Sequence, residues 1–108
     1  MNISLLLQYA AVLPLKGKDY KVLLYLLPRM SLKKYKKINQ KELAEALSTT
    51  KSNISLSISN LIRQGIIEAD SSYHNNKAVK LCSYDDDELQ IMINREVYEE
   101  DDLFGNLF

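Results

Sequence analysis

The chain has one histidine, His74, and one cysteine, Cys82, and its densest carboxylate group is the run Asp85-Asp86-Asp87-Glu88. One His and one Cys are too few for a zinc site built from those ligands. Cys82 ends an apolar stretch, where a thiol is far more often a core residue than a nucleophile. The carboxylate run has no second liganding set and suits the start of a helix, where acids complement the dipole. No glycine-rich phosphate fingerprint occurs. The expectation is a protein without catalytic residues, metal or cofactor.

The remaining polar chemistry is hydrogen bonding and positive charge. Lys33, Lys34, Lys36 and Lys37 flank Tyr35, and Ser52, Asn53, Ser55, Ser57, Ser59 and Asn60 crowd one short stretch. Lysines neutralise phosphates and release counterions without reading sequence, whereas Ser and Asn both donate and accept and so can read base edges. The formal net charge of zero hides an asymmetry. Up to Tyr84 there are thirteen basic and five acidic residues, and from Asp85 one basic and nine acidic. A basic body with an acidic end is the pattern of a polyanion binder with an acidic appendage.

Apolar spacing gives the elements that position these residues. Leu5, Leu6, Tyr9, Val12 and Leu13 recur at helical spacing within Asn2 to Leu13, and Pro14 closes the segment. A second helix is expected from Tyr20 to about Pro28 with Asp19 as its N-cap. Tyr35 to Ile38 reads as a short edge strand. Asn39 caps a third helix, about Gln40 to Leu47, with Glu42 at the third position of a capping box. After the turn Ser48-Thr49-Thr50 comes a fourth helix, about Lys51 to Gln64, which Gly65 ends. Ile66 to Asp70 and Lys77 to Cys82 read as strands, with Asn75-Asn76 suited to turn a hairpin between them. The segment Leu89 to Val97 fits either a helix stripe or an alternating strand, with helix favoured. Glu99 to Phe108 reads as a flexible acidic tail.

A short helix, a tight turn and a longer helix make a helix-turn-helix pattern, whose second helix enters the major groove. With Ile54, Ile58 and Leu61 inward, Ser52, Asn53, Leu56, Ser57 and Asn60 fall on the outer face of that helix. Asn suits adenine and Leu56 suits a thymine methyl, which points to A·T-rich half-sites. Lys51 and Ser55 complete the candidate contacts of this helix. Gln40 and Lys41 stand at a helix N-terminus, itself a phosphate site. His74, Asn75, Asn76, Lys77 and Lys80 fall on or beside the hairpin.

The stretches Asn39-Gln40-Lys41-Glu42-Leu43-Ala44-Glu45-Ala46-Leu47, Ser52-Asn53-Ile54-Ser55 through Leu61, and Gly65-Ile66-Ile67 resemble the prokaryotic winged helix-turn-helix family, over roughly Asp19 to Leu81. MarR-like regulators, RepL-like plasmid replication initiators and plasmid segregation or transfer accessory proteins share that pattern. Two departures stand out: Ser48 where a Gly is frequent in the turn, and Leu56 where an Arg often reaches DNA.

The resemblance implies a mainly α fold with a small β-hairpin wing, spanning residues 1–98, the acidic tail following at 99–108. It implies a sequence-specific double-stranded DNA-binding protein, a homodimeric transcriptional regulator. The alternatives are a plasmid or phage DNA-processing accessory protein (replication, partition or conjugative transfer), or a winged-helix protein-interaction module. The leucine-rich first helix and the Leu89 to Val97 stripe are the expected dimer surface, and the tail with its Leu103-Phe104 step is a candidate docking peptide for a protein partner. The single cysteine fits a reducing compartment, and no window reaches the roughly 18 apolar residues of a membrane span. The expected location is therefore cytoplasmic.

Overall fold

Short polar residues set the limits of the two central helices. Asn39 caps the helix Gln40–Ala46, its side chain accepting from the Glu42 N–H at 3.0 Å, and Thr50 caps the helix Lys51–Arg63, accepting from the Asn53 N–H at 3.1 Å. Both helices end on a left-handed residue. At Gly65 φ is 77°, and the Gly65 and Ile66 N–H groups close back on Ile62 and Leu61. At Ser48 φ is 53°, with the Ser48 and Thr49 N–H groups on Glu45 and Ala44. A serine thus holds a position that suits glycine, at a steric cost of about 1–2 kcal/mol. Ser48→Gly is expected to raise stability by about 0.5–1 kcal/mol, the relief being partly offset by the greater freedom of glycine in the unfolded chain. A denaturant melt checks this, and a loss of stability would assign the Ser48 hydroxyl a structural bond.

The computed structural model describes residues 2–70 and 78–105, without the side chains of 99–105. His74, Asn75, Asn76, Lys77 and the expected hairpin turn lie outside the described residues. In chain order the elements are α1 (Ile3–Val12), α2 (Gly17–Leu26), a 3-10 turn (Leu27–Arg29), β1 (Lys36–Lys37), α3 (Gln40–Ala46), α4 (Lys51–Arg63), β2 (Ile67–Ala69), β3 (Ala78–Leu81) and α5 (Asp86–Gly105). The described chain is mainly helical, with a small antiparallel sheet of order β1-β3-β2. In register, Lys36 stands opposite Val79, and Glu68 opposite Lys80. No helix among the described residues is long and apolar enough to cross a membrane.

Two compact units form. The first, Leu15–Cys82, holds α2, α3, α4 and the sheet. Its buried residues include Val22, Leu23 and Leu26 of α2, Leu43 and Ala44 of α3, Ile54, Ile58 and Leu61 of α4, and Ile67, Val79 and Leu81 of the strands. Asp19 departs from expectation. The helix begins three residues earlier than expected, at Gly17, so Asp19 is the third helical residue instead of the cap, and its carboxylate accepts from the Lys16 N–H at 3.0 Å.

The second unit contains α1 and α5. The Asn2 side chain caps α1 by accepting from the Ser4 N–H, and the Asn2 N–H donates to Asp86 Oδ1 at 2.8 Å, which ties the two helix starts together. Tyr9 and Tyr84 meet edge to face at 6.5 Å. The Leu89 to Val97 segment is helical, and its acidic first turn, Asp86 to Glu88, complements the helix dipole. The backbone of α5 runs on to Gly105, through most of the stretch read as a tail from Glu99. Leu6, Tyr9 and Leu13 are buried, so they do not offer the free surface expected of the first helix. Among the described residues of this unit the exposed large apolar ones are Ile3, Ile91 and Tyr98.

Candidate nucleic-acid interface

Helix α4 buries one face and presents another built from small side chains. Ile54, Ser57, Ile58 and Leu61 are buried, Lys51, Ser52, Leu56 and Arg63 are exposed, and Asn53, Ser55, Ser59 and Asn60 are half-buried along the margins. Leu56 is 55% exposed, enough for a partner to reach its whole outer surface. No acid occurs in the thirteen residues of α4, and its only charges, Lys51 and Arg63, are positive. Four serines make this an expensive helix on propensity alone, and its exposed positions carry neither Glu nor Ala.

Ser57 is a correction. It was expected on the outer face, but only 3% of it is exposed. It follows Leu56 by one helical step toward Ile58 and Ile54, and a side chain that small is covered where α2 packs on α4. What little of Ser57 is exposed borders the grooves along α4.

The amides beside it have partners of their own. Asn53 Nδ2 donates to Thr49 Oγ1 at 2.9 Å. Asn60 Nδ2 lies 3.5 and 3.4 Å from the two carboxylate oxygens of Asp19, a residue 2% exposed on α2. Two grooves run along this flank of α4. One of about 450 Å³ is bordered by Lys18, Lys21, the Ser48 to Thr50 turn and Asn53. The other, about 330 Å³, is bordered by Lys16, Lys18, Asp19, Asn53, Leu56 and Asn60.

Lys16, Lys18 and Lys21 were not singled out from the sequence, and all three are exposed. Their three-residue spacing puts Lys18 and Lys21 on one side of α2. That periodicity was legible, but the neighbouring helix was not.

The lysines that were singled out lie elsewhere. Lys33, Lys34, Lys36 and Lys37 are exposed, on a loop held by the Ser31 side chain, which accepts from the Lys33 and Lys34 N–H groups, and on β1. Lys36 and Lys37 border a small groove of about 100 Å³ with Tyr25, Arg29, Asn39 and Glu42. There the Arg29 guanidinium stacks 4.3 Å over the Tyr25 ring and approaches Glu42 at 3.7 Å. Gln40 and Lys41 open α3, Gln40 half-buried and Lys41 exposed. Neither these residues nor the β1 lysines border the two grooves along α4.

Lys80, beside the hairpin, bridges to Glu68 at 3.1 Å and sits 5.0 Å over the Tyr35 ring, while the Tyr35 hydroxyl donates to the same Glu68 oxygen at 3.0 Å. The Lys80 bond holds the Glu68 carboxyl below its ordinary range, and the Glu68 bond holds the Lys80 ammonium above its own. This ammonium is committed to the sheet.

A comparison with protein-family models, curated proteins and solved structures finds no match to the chain.

Proposed function

We propose that this chain is a winged helix-turn-helix protein that binds double-stranded DNA sequence-specifically, with α4 as the reading helix. The observation that carries the reading is the outer face of α4: acid-free, built of Ser, Asn and one exposed Leu, and bordered by the lysines of α2. Small polar side chains let a helix approach base edges closely, and flanking lysines supply the phosphate contacts that set its register. The order α2, β1, α3, α4, β2, β3, with β1 beside β3, supports the winged fold. Two copies acting together supply the interface that one small module lacks, and Ile91 and Tyr98 on α5 are exposed apolar residues suited to that pairing. Control of transcription is the proposed use, with replication, partition or transfer of a plasmid or phage as the alternative. Loss of the protein alters transcript levels in the first case and copy number or inheritance of the element in the second.

Selection from a randomised duplex pool tests the reading. The expected product is a pair of inverted half-sites about 10 base pairs apart, centre to centre. A lone half-site would remove the dimer, and no enrichment at all would remove DNA reading. Exposed Leu56 also fits a protein-docking face. Under that reading duplex affinity would barely depend on salt.

The two lysine sets separate in the same assay. Changing Lys16, Lys18 and Lys21 to Gln is expected to weaken binding to every duplex alike and to flatten the log–log salt slope by about 0.9 for each phosphate that is no longer neutralised. Changing Lys33, Lys34, Lys36 and Lys37 to Gln is expected to act in the same sense. A change confined to the selected site would make either set base readers.

A further inference from the structure

The buried Asp19 carboxylate faces the reading helix. It is 2% exposed, its Oδ2 accepts from the Lys16 N–H at 3.0 Å, and both its oxygens lie 3.4–3.5 Å from Asn60 Nδ2. An Asn amide is two-faced, with an amino donor on one side and a carbonyl acceptor on the other. A carboxylate offers acceptors only, so it holds the amino side and turns the carbonyl away. Asn53 differs here, because its partner is the Thr49 hydroxyl, which can donate as well as accept and so fixes neither orientation.

We propose that Asp19 is a positioning residue that turns the carbonyl oxygen of Asn60 toward the groove beside α4, so that α4 reads an exocyclic amino group there. The inference rests on the DNA-reading role of α4. In the major groove adenine N6 and cytosine N4 are donors, while guanine and thymine present acceptors at the same level. An outward carbonyl therefore favours A or C over G or T at one position of the reading strand. A single such bond discriminates on the order of fivefold.

Reversing the polarity of the pair reverses the expected base. In Asp19→Asn the side-chain oxygen keeps the Lys16 N–H and the new amino group faces Asn60. The Asn60 oxygen then turns inward and its amino group outward. The double variant Asp19→Asn/Asn60→Asp restores an outward acceptor, since both oxygens of the new carboxylate accept.

The test is selection from a randomised duplex pool with the full chain and three variants, each first checked for a cooperative melt. Wild type is expected to prefer A or C over G at one position per half-site, and Asn60→Ala to lose preference at that position alone. Asp19→Asn is expected to prefer G over C there, and the double variant to return to C over G. A folded Asp19→Asn that keeps the wild-type base overturns the proposal, as does Asn60→Ala with unchanged preferences. If Asp19→Asn does not fold, the double variant decides: retention of the wild-type base supports the proposal and its loss overturns it. A wild type that enriches no sequence removes the DNA-reading role itself, and the inference falls with it. Enrichment with unchanged variants removes the inference alone.

Discussion

Leu56→Glu is expected to lower duplex affinity about 100-fold while moving the melting temperature by only a few degrees. Leu56 is 55% exposed at the centre of the α4 outer face, so its substitution opens no cavity. Leu and Glu have similar helix propensities, and surface changes of this kind usually stay within about 0.5 kcal/mol. Under the proposed DNA-reading role the effect on binding is larger, because the new carboxylate would face phosphate. Like-charge juxtaposition across an interface costs several kcal/mol, and partial screening by salt leaves about 2–3 kcal/mol. At 1.4 kcal/mol per tenfold, that is about 30- to 150-fold. Leu24→Glu is the control. Leu24 is 62% exposed on α2 and borders neither groove along α4, so its affinity is expected to change by no more than about threefold. Anisotropy titrations of both variants at one salt concentration make the comparison. Equal losses would mean that α4 has no special place in binding, and no loss in either would move the interface elsewhere.

The local rules that bounded α3 and α4 were legible because each rests on a few neighbouring residues. Asn39 capped α3 where the spacing to Glu42 placed it, Thr50 proved to be the cap of α4 where Thr49 was the alternative, and Gly65 could stop α4 because a left-handed residue belongs there. Ser48 was legible as a departure, and its φ of 53° shows what the departure means: the turn keeps its left-handed residue without the glycine. The start of α2 was misread because an Asp in the first turn of a helix serves equally as a cap or as the third helical residue, and Lys16 carries no capping side chain of its own. The segment from Leu89 to Val97 was ambiguous because its apolar residues fit both periods, and the helix follows the acids that stabilise its start.

The candidate site was less legible than the fold. Apolar periodicity located the centre of the α4 core face but not its width, so Ser57 at the margin was assigned to the wrong side. The lysines of α2 and the buried Asp19 reach α4 only through the packing of α2 on α4, which joins residues some forty apart in the chain, as Asp19 and Asn60 are. No rule of spacing along one helix carries that information.

Ile58→Ala is expected to destabilise the Leu15–Cys82 unit by about 2–5 kcal/mol. Ile58 has 0% exposure at the middle of the inner face of α4, the helix that packs on both α2 and α3. Its truncation removes apolar burial and leaves a cavity that three helices cannot close together. Small domains hold only about 5–15 kcal/mol in total, so this one residue accounts for a large share. For a domain of this size each kcal/mol moves the midpoint by about 4–8 °C, which puts the expected drop at about 8–40 °C. Ser57→Ala, one residue away and equally buried, removes a single oxygen and gains helix propensity, so its stability is expected to stay within about 1 kcal/mol. Neither variant is expected to change which duplex is selected at temperatures where it is folded, because both side chains are almost wholly buried. A Ser57→Ala protein with altered base preference would return Ser57 to the reading face. An Ile58→Ala protein that melts like wild type would mean that α4 is not clamped between α2 and α3 in solution, and the outer face of α4 would lose the support that fixes its direction.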